Sequence, residues 1–154
     1  MSEQVALYFH LLGAFLFVSG CVAISILRFS AIHSQDTAEI VTLLNTAKKV
    51  VPVVVVGYVI TVAFGLWLAK IEGYWDRPWL QICIVLTGAM LLIGGLAGRE
   101  DRKTREMAST AILGGSVRPD DKLQDRLQDS MVCGMNGSML VGIFVVITLM
   151  IFKP

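Results

Sequence analysis

Four stretches of the chain, residues 5–27, 50–69, 79–98 and 131–152, contain no Asp, Glu, Lys or Arg and are apolar almost throughout. At ~1.5 Å per residue each makes roughly 30 Å of helix, the thickness of the hydrocarbon core of a bilayer. The runs are too long and too evenly apolar to be barrel strands. The prediction is an all-α chain of 154 residues forming one transmembrane domain with four spans. Composition agrees, because 55% apolar and 16% charged residues leave more apolar surface than a soluble domain of this size can hide. The first run has no basic stretch before it and no small-residue cleavage site before Arg28, so it reads as a span rather than a removable signal.

Orientation follows from Lys and Arg, which collect in short cytoplasmic loops. The first loop carries Arg28, Lys48 and Lys49, and the third carries Arg99, Arg102, Lys103, Arg105, Arg118, Lys122 and Arg126. Only Lys70, Arg77 and Lys153 fall elsewhere among the 13 basic residues. Both long loops are expected in the cytoplasm and both termini outside, with Tyr74, Trp75 and Trp79 as an outer aromatic belt. The net charge of +1, without a basic patch interleaved with aromatics, argues against nucleic acid as a partner.

The long loops carry helical signals of their own. Asp36 and Glu39 have capping-box spacing, and Ile40, Leu43, Leu44 and Ala47 then recur at helical intervals until Pro52. This predicts an amphipathic helix at the inner interface running into span two, with Pro52 bending the junction or starting a new helix. After Gly114 and Gly115, Pro119 and Asp120 open a second stretch in which Leu123, Leu127 and Met131 repeat every four residues and lead directly into span four. The charges from Arg99 to Glu106 read as a solvated anchor at the inner surface.

Lipid gives helices no hydrophobic reason to associate, so small and polar residues mark the expected contacts. Gly13, Gly20, Gly57, Gly65, Gly88, Gly94, Gly95, Gly98, Gly134, Gly137 and Gly142 give each span such a face, and Gly94 and Gly98 form a G-x-x-x-G pair, the pattern of helix self-association. Asn136, Ser19, Tyr58 and Cys21 fall at roughly one depth and read as an interhelical polar layer near the inner side. Short connections favour an antiparallel four-helix bundle of sequential neighbours. Cys21, Cys83 and Cys133 have neither disulfide nor zinc spacing and read as small buried hydrophobes.

His10 is the ionisable residue inside a span, about 7.5 Å below the outer edge by helical rise. Thr61, Thr87, Cys83 and Thr148 are expected hydrogen-bond neighbours. Two readings stand open: a histidine tied to a threonine or a backbone carbonyl, or an axial ligand of a b-type haem. His33 lies 23 residues further on, roughly 34 Å along a continuous helix, so the two histidines do not share one iron. His33 reads as interfacial. The spans hold no acidic relay, charged ring or broken helix, which excludes ion-coupled transport by this chain alone. No Ser-His-Asp set, phosphate loop or HExxH is found.

The residues Phe9-His10-Leu11-Leu12-Gly13-Ala14, the Glu39 to Lys49 segment, Gly65-Leu66-Trp67-Leu68-Ala69 with Trp79-Leu80, and the ending Leu149 to Pro154 together resemble a family of small bacterial four-helix integral-membrane proteins. That family is distantly similar to the copper-resistance D and membrane-bound protoporphyrinogen oxidase group. The resemblance implies a four-helix membrane bundle, and it implies that His10 matches the first-helix histidine that is a haem ligand in the oxidase relatives. Two functions follow as expectations. One is a non-catalytic accessory or structural subunit of a larger, energy-converting membrane complex, suggested by the glycine faces and the lack of a catalytic set. The other is a haem-binding membrane oxidoreductase using His10, with Cys83 or Met150 nearby. One histidine with scattered Cys and Met is too thin a relay for copper export.

Overall fold

A backbone in hydrocarbon must satisfy its N–H and C=O groups within its own segment, and the apolar runs accordingly fold as helices. The computed structural model describes residues 3–152, so Lys153 and Pro154 lie outside the described residues. In chain order the helices are α1 (Glu3–His33), α2 (Thr37–Ile71), α3 (Pro78–Leu113), α4 (Asp121–Leu127) and α5 (Ser130–Phe152), with a single 3-10 turn at Tyr74–Asp76. There is no strand among the described residues. Among the described residues, four helical segments are long and apolar enough to cross a membrane.

The helices overrun the apolar runs. α1 continues past Arg28 to His33, α2 begins at Thr37, and α3 continues to Leu113. Pro52 sits inside α2 and removes one N–H from its ladder, but the helix runs through it. Asp36 caps α2 by accepting from the Ala38 N–H at 2.9 Å. Glu39 reaches back, not to the Asp36 N–H but to the Ser34 hydroxyl at 2.6 Å, which in turn accepts from the Asp36 N–H at 3.2 Å. The end of α3 is a Schellman motif. Gly115 lies at φ +79°, a left-handed conformation that favours glycine, and the Ser116 N–H reaches Ala111 O at 3.1 Å. Thr37 then fixes the following loop by donating its N–H and hydroxyl to Val117 O.

These extensions form a core outside the apolar spans. Ile40 and Leu44 of α2 bury their side chains against Ala31, Ala108, Leu123 and Leu127. Of the stripe expected at the inner interface, Ile40 and Leu44 are covered by protein while Leu43 and Ala47 are half-buried. Burying each Leu or Ile contributes about 1.5–3 kcal/mol in water, a driving force absent between helices in lipid. We call this region the charged end. The periodicity expected to run through Leu123, Leu127 and Met131 breaks at the α4–α5 junction. Asp129 Oδ1 accepts the Met131 N–H at 2.9 Å, α5 restarts, and Met131 ends up 65% exposed while Leu123 and Leu127 are buried.

Within the apolar spans, glycines set the spacing of α1 and α2. A Cβ on Gly57 would stand 2.6 Å from the Phe17 backbone N, and one on Gly13 would stand 2.7 Å from the Thr61 N. Gly20 faces Val54 in the same seam. α3 and α5 pack differently, through two methionines placed over glycines. Met90 lies over Gly142 and Met139 over Gly94. Cys21, Met90 and Ile143 join the two pairs, and the Tyr58 hydroxyl donates to Thr87 O at 3.2 Å. At the opposite end Trp79 is buried with Ala69, Leu80 and Cys83 and edges onto the Tyr74 ring, whereas Trp75 is exposed. Trp79 thus belongs to the core rather than to an aromatic belt.

Candidate functional site

His10 is held between α1 and α2. Its Nδ1 lies 2.8 Å from Thr61 O. A carbonyl only accepts, so Nδ1 carries the proton and donates it. The ring fits because residue 65 is glycine: a Cβ there would stand 2.9 Å from His10 Cε1 and 3.0 Å from Nδ1. Phe9 stacks on Phe64 at 4.9 Å beside it. Of the other expected neighbours, Thr87 bonds Cys83 O and Thr148 bonds Phe144 O, each on its own helix. Cys83 and Met150 pack together near Trp79 in a cluster that does not include His10.

The bond to Thr61 O takes up Nδ1 of His10 and leaves Nε2 without a hydrogen bond among the described residues. No group of three His, Cys, Asp or Glu side chains converges among the described residues. The two cavities found below are lined by other residues, and the imidazole is wedged on a helix backbone at Gly65. His33 bonds Phe29 O at 2.9 Å within its own helix, lies against the Phe29 ring and is exposed.

At the charged end Arg28 of α1 is 4% exposed and pairs through Nη1 with Asp101 Oδ1 of α3. Asp129 and Cys133, from the α4–α5 junction, face the same guanidinium. Positional counting of basic residues treats Arg28 as a loop charge and misses this pair. The signal was present: Ala6, Gly13, Gly20 and Arg28 are buried and recur every seven or eight residues, about two turns, on one face of α1, with Ala31 one turn further on. Nearby, Glu100 accepts Lys103 Nζ at 2.8 Å and also bonds Arg126 Nη2. The Lys103 hydrogen bond, with the charges of Lys103 and Arg126, holds the Glu100 carboxyl below its ordinary range against a smaller opposing desolvation. Two of the acidic residues in the segment expected to be a solvated anchor are thus tied to other helices.

A cavity of about 490 Å³ opens between α2 and α3 and is backed by α1 and α5. Val51, Val55 and Val59 form one exposed wall, and Leu91, Gly95 and Gly98 form the other. Tyr58 and Asn136, read from the sequence as members of an interhelical polar layer, line it as well. Ser19 turns back to Leu16 O at 3.2 Å on its own helix. Asn136 donates its amide to Val132 O at 3.2 Å and makes no other hydrogen bond among the described residues. The expected G-x-x-x-G pair is divided: Gly94 meets Met139, while nothing lies within 4 Å of a Cβ placed on Gly98. Gly88, Gly95, Gly134 and Gly137 are open in the same way.

Searches with this chain find no matching protein-family model, no matching curated protein and no matching solved structure.

Proposed function

We propose that the chain is a non-catalytic subunit of a larger membrane assembly, an antiparallel four-helix bundle whose groove between α2 and α3 receives a transmembrane helix of another subunit. The reading places the charged end in the cytoplasm and both termini outside, following the distribution of Lys and Arg.

The observation that carries it is the division of the glycines. Those of α1 and α2 are used up within the chain, at approach distances that admit no side chain. Gly95 and Gly98 in the groove wall have open space over them, which suits the close backbone approach of another helix. Asn136 favours a helix over an acyl chain as the occupant. Its carbonyl oxygen has no donor among the described residues, and hydrocarbon offers none, whereas a Ser, Thr or Asn on a neighbouring helix does. A photo-crosslinking amino acid at Leu91, in the groove wall, is expected to give one discrete adduct with another membrane protein in the native membrane. The same group at Phe144, on exposed α5, is expected to give none. Equal labelling at both positions contradicts the reading.

A further inference from the structure

A second cavity, of about 730 Å³, lies at the charged end between α3 and the α4–α5 junction. Its volume is within the range of small-ligand sites. Its lining has two parts. Arg99, Arg102, Lys103 and Arg126 supply cations, and Leu96, Met131 and Met135 supply apolar surface. Leu96 and Met131 are 47% and 65% exposed. Arg99 follows Leu96 by three residues, about 4.5 Å of helix, and is the first charge after the apolar run of α3. In a bilayer this is the level at which hydrocarbon gives way to headgroups.

The carboxylates in the lining are engaged. Glu106 accepts from Arg102 Nε at 2.9 Å, Glu100 is shared by Lys103 and Arg126, and Asp129 caps the restart of α5. Arg99 has no carboxylate partner among the described residues, and each paired cation keeps further N–H donors. Four cations against three carboxylates leave the groove one positive charge in excess. A soluble anion satisfies the donors but leaves Leu96 and Met131 bare to water. An uncharged lipid covers the apolar part but leaves Arg99 unmatched. An amphiphile with its negative charge joined directly to hydrocarbon matches both.

We propose that this groove holds the headgroup of an anionic membrane phospholipid, with Arg99 and Lys103 binding its phosphate oxygens and its acyl chains lying over Leu96 and Met131. The bound lipid fastens the long extension of α3 to the membrane surface. The site is separate from the groove between α2 and α3, and the inference does not depend on a partner subunit.

The test uses the full chain purified in mild detergent and titrated with phosphatidylglycerol or with phosphatidylcholine of the same acyl chains, bound lipid being counted by native mass spectrometry. Phosphatidylglycerol is expected to be retained preferentially. One basic residue near an anionic surface contributes about 1 kcal/mol, so Arg99→Gln and Lys103→Gln should each weaken its binding about fivefold. Lys48→Gln with Lys49→Gln, also at the charged end but outside the groove, should leave it unchanged. Arg99→Gln disturbs no ion pair and keeps the test intact if Lys103→Gln loses its helix content. Equal retention of the two lipids overturns the proposal, as does an equal loss in the Lys48/Lys49 pair. Displacement of the lipid by millimolar inorganic phosphate also overturns it, by showing a site for soluble anions.

Discussion

Gly57 of α2 lies directly against Gly13 of α1, with the Gly13 carbonyl oxygen 2.9 Å from where a Gly57 Cβ would stand. Two helices in lipid gain little from merely touching apolar side chains, and it is this backbone approach that makes the α1–α2 pair the tightest in the molecule. Gly57→Ala must push α1 and α2 apart, because the atoms it meets are backbone and cannot swing away. The expected loss is about 1–3 kcal/mol, the usual range for overpacking. Gly88→Ala and Gly134→Ala, where nothing lies within 4 Å, should be neutral or gain up to about 1 kcal/mol from helix propensity. Unfolding in denaturing detergent followed by circular dichroism separates the two classes.

His10 and Gly65 form one unit, and their substitutions should not add. His10→Ala removes the bond to Thr61 O and is expected to cost about 0.6–1.7 kcal/mol, as interhelical hydrogen bonds do in membranes. Gly65→Ala drives a methyl into the imidazole and breaks the same bond. In the double variant the ring is gone and the methyl has room. The double-mutant cycle should therefore show the Gly65→Ala penalty falling toward zero; additive losses would mean the ring and the glycine are not coupled.

The Arg28–Asp101 pair gives an asymmetric expectation. Arg28→Ala leaves the partly exposed Asp101 carboxylate without its partner and should lose about 1–3 kcal/mol, less than a fully buried pair would, whereas Arg28→Met with Asp101→Leu should recover most of that loss. The same detergent unfolding measures both. A single variant as stable as the wild type would show that the pair does not hold α1 to α3.

What the sequence made legible follows from which physical signal each feature leaves. The four spans are visible because an uncharged run of twenty residues has one solution in lipid. The helix ends are not, because a charge such as Arg28 or Lys48 marks where hydrocarbon stops rather than where the helix does. Depth along the helix axis put Thr61 among the possible neighbours of His10, but could not tell that the carbonyl rather than the hydroxyl accepts. Glycine content showed that each span carries a small face. It could not say that Gly13 and Gly57 are used within the chain while Gly95 and Gly98 are open, since that depends on which faces the pairs α1–α2 and α3–α5 consume. Met131 kept its four-residue spacing on paper and lost it at the helix restart that Asp129 caps.

The central claim is that the open groove between α2 and α3 holds another subunit's helix. The most direct measurement is extraction from the native membrane in mild detergent with separation by size, comparing the wild type with a Gly95→Leu/Gly98→Leu variant. Both substitutions fill open space, so the variant should fold as well as the wild type. The account predicts that the wild-type chain migrates in a large complex and that the variant is released from it with its helix content intact. A wild-type chain that migrates alone, or a variant that stays in the complex, contradicts it.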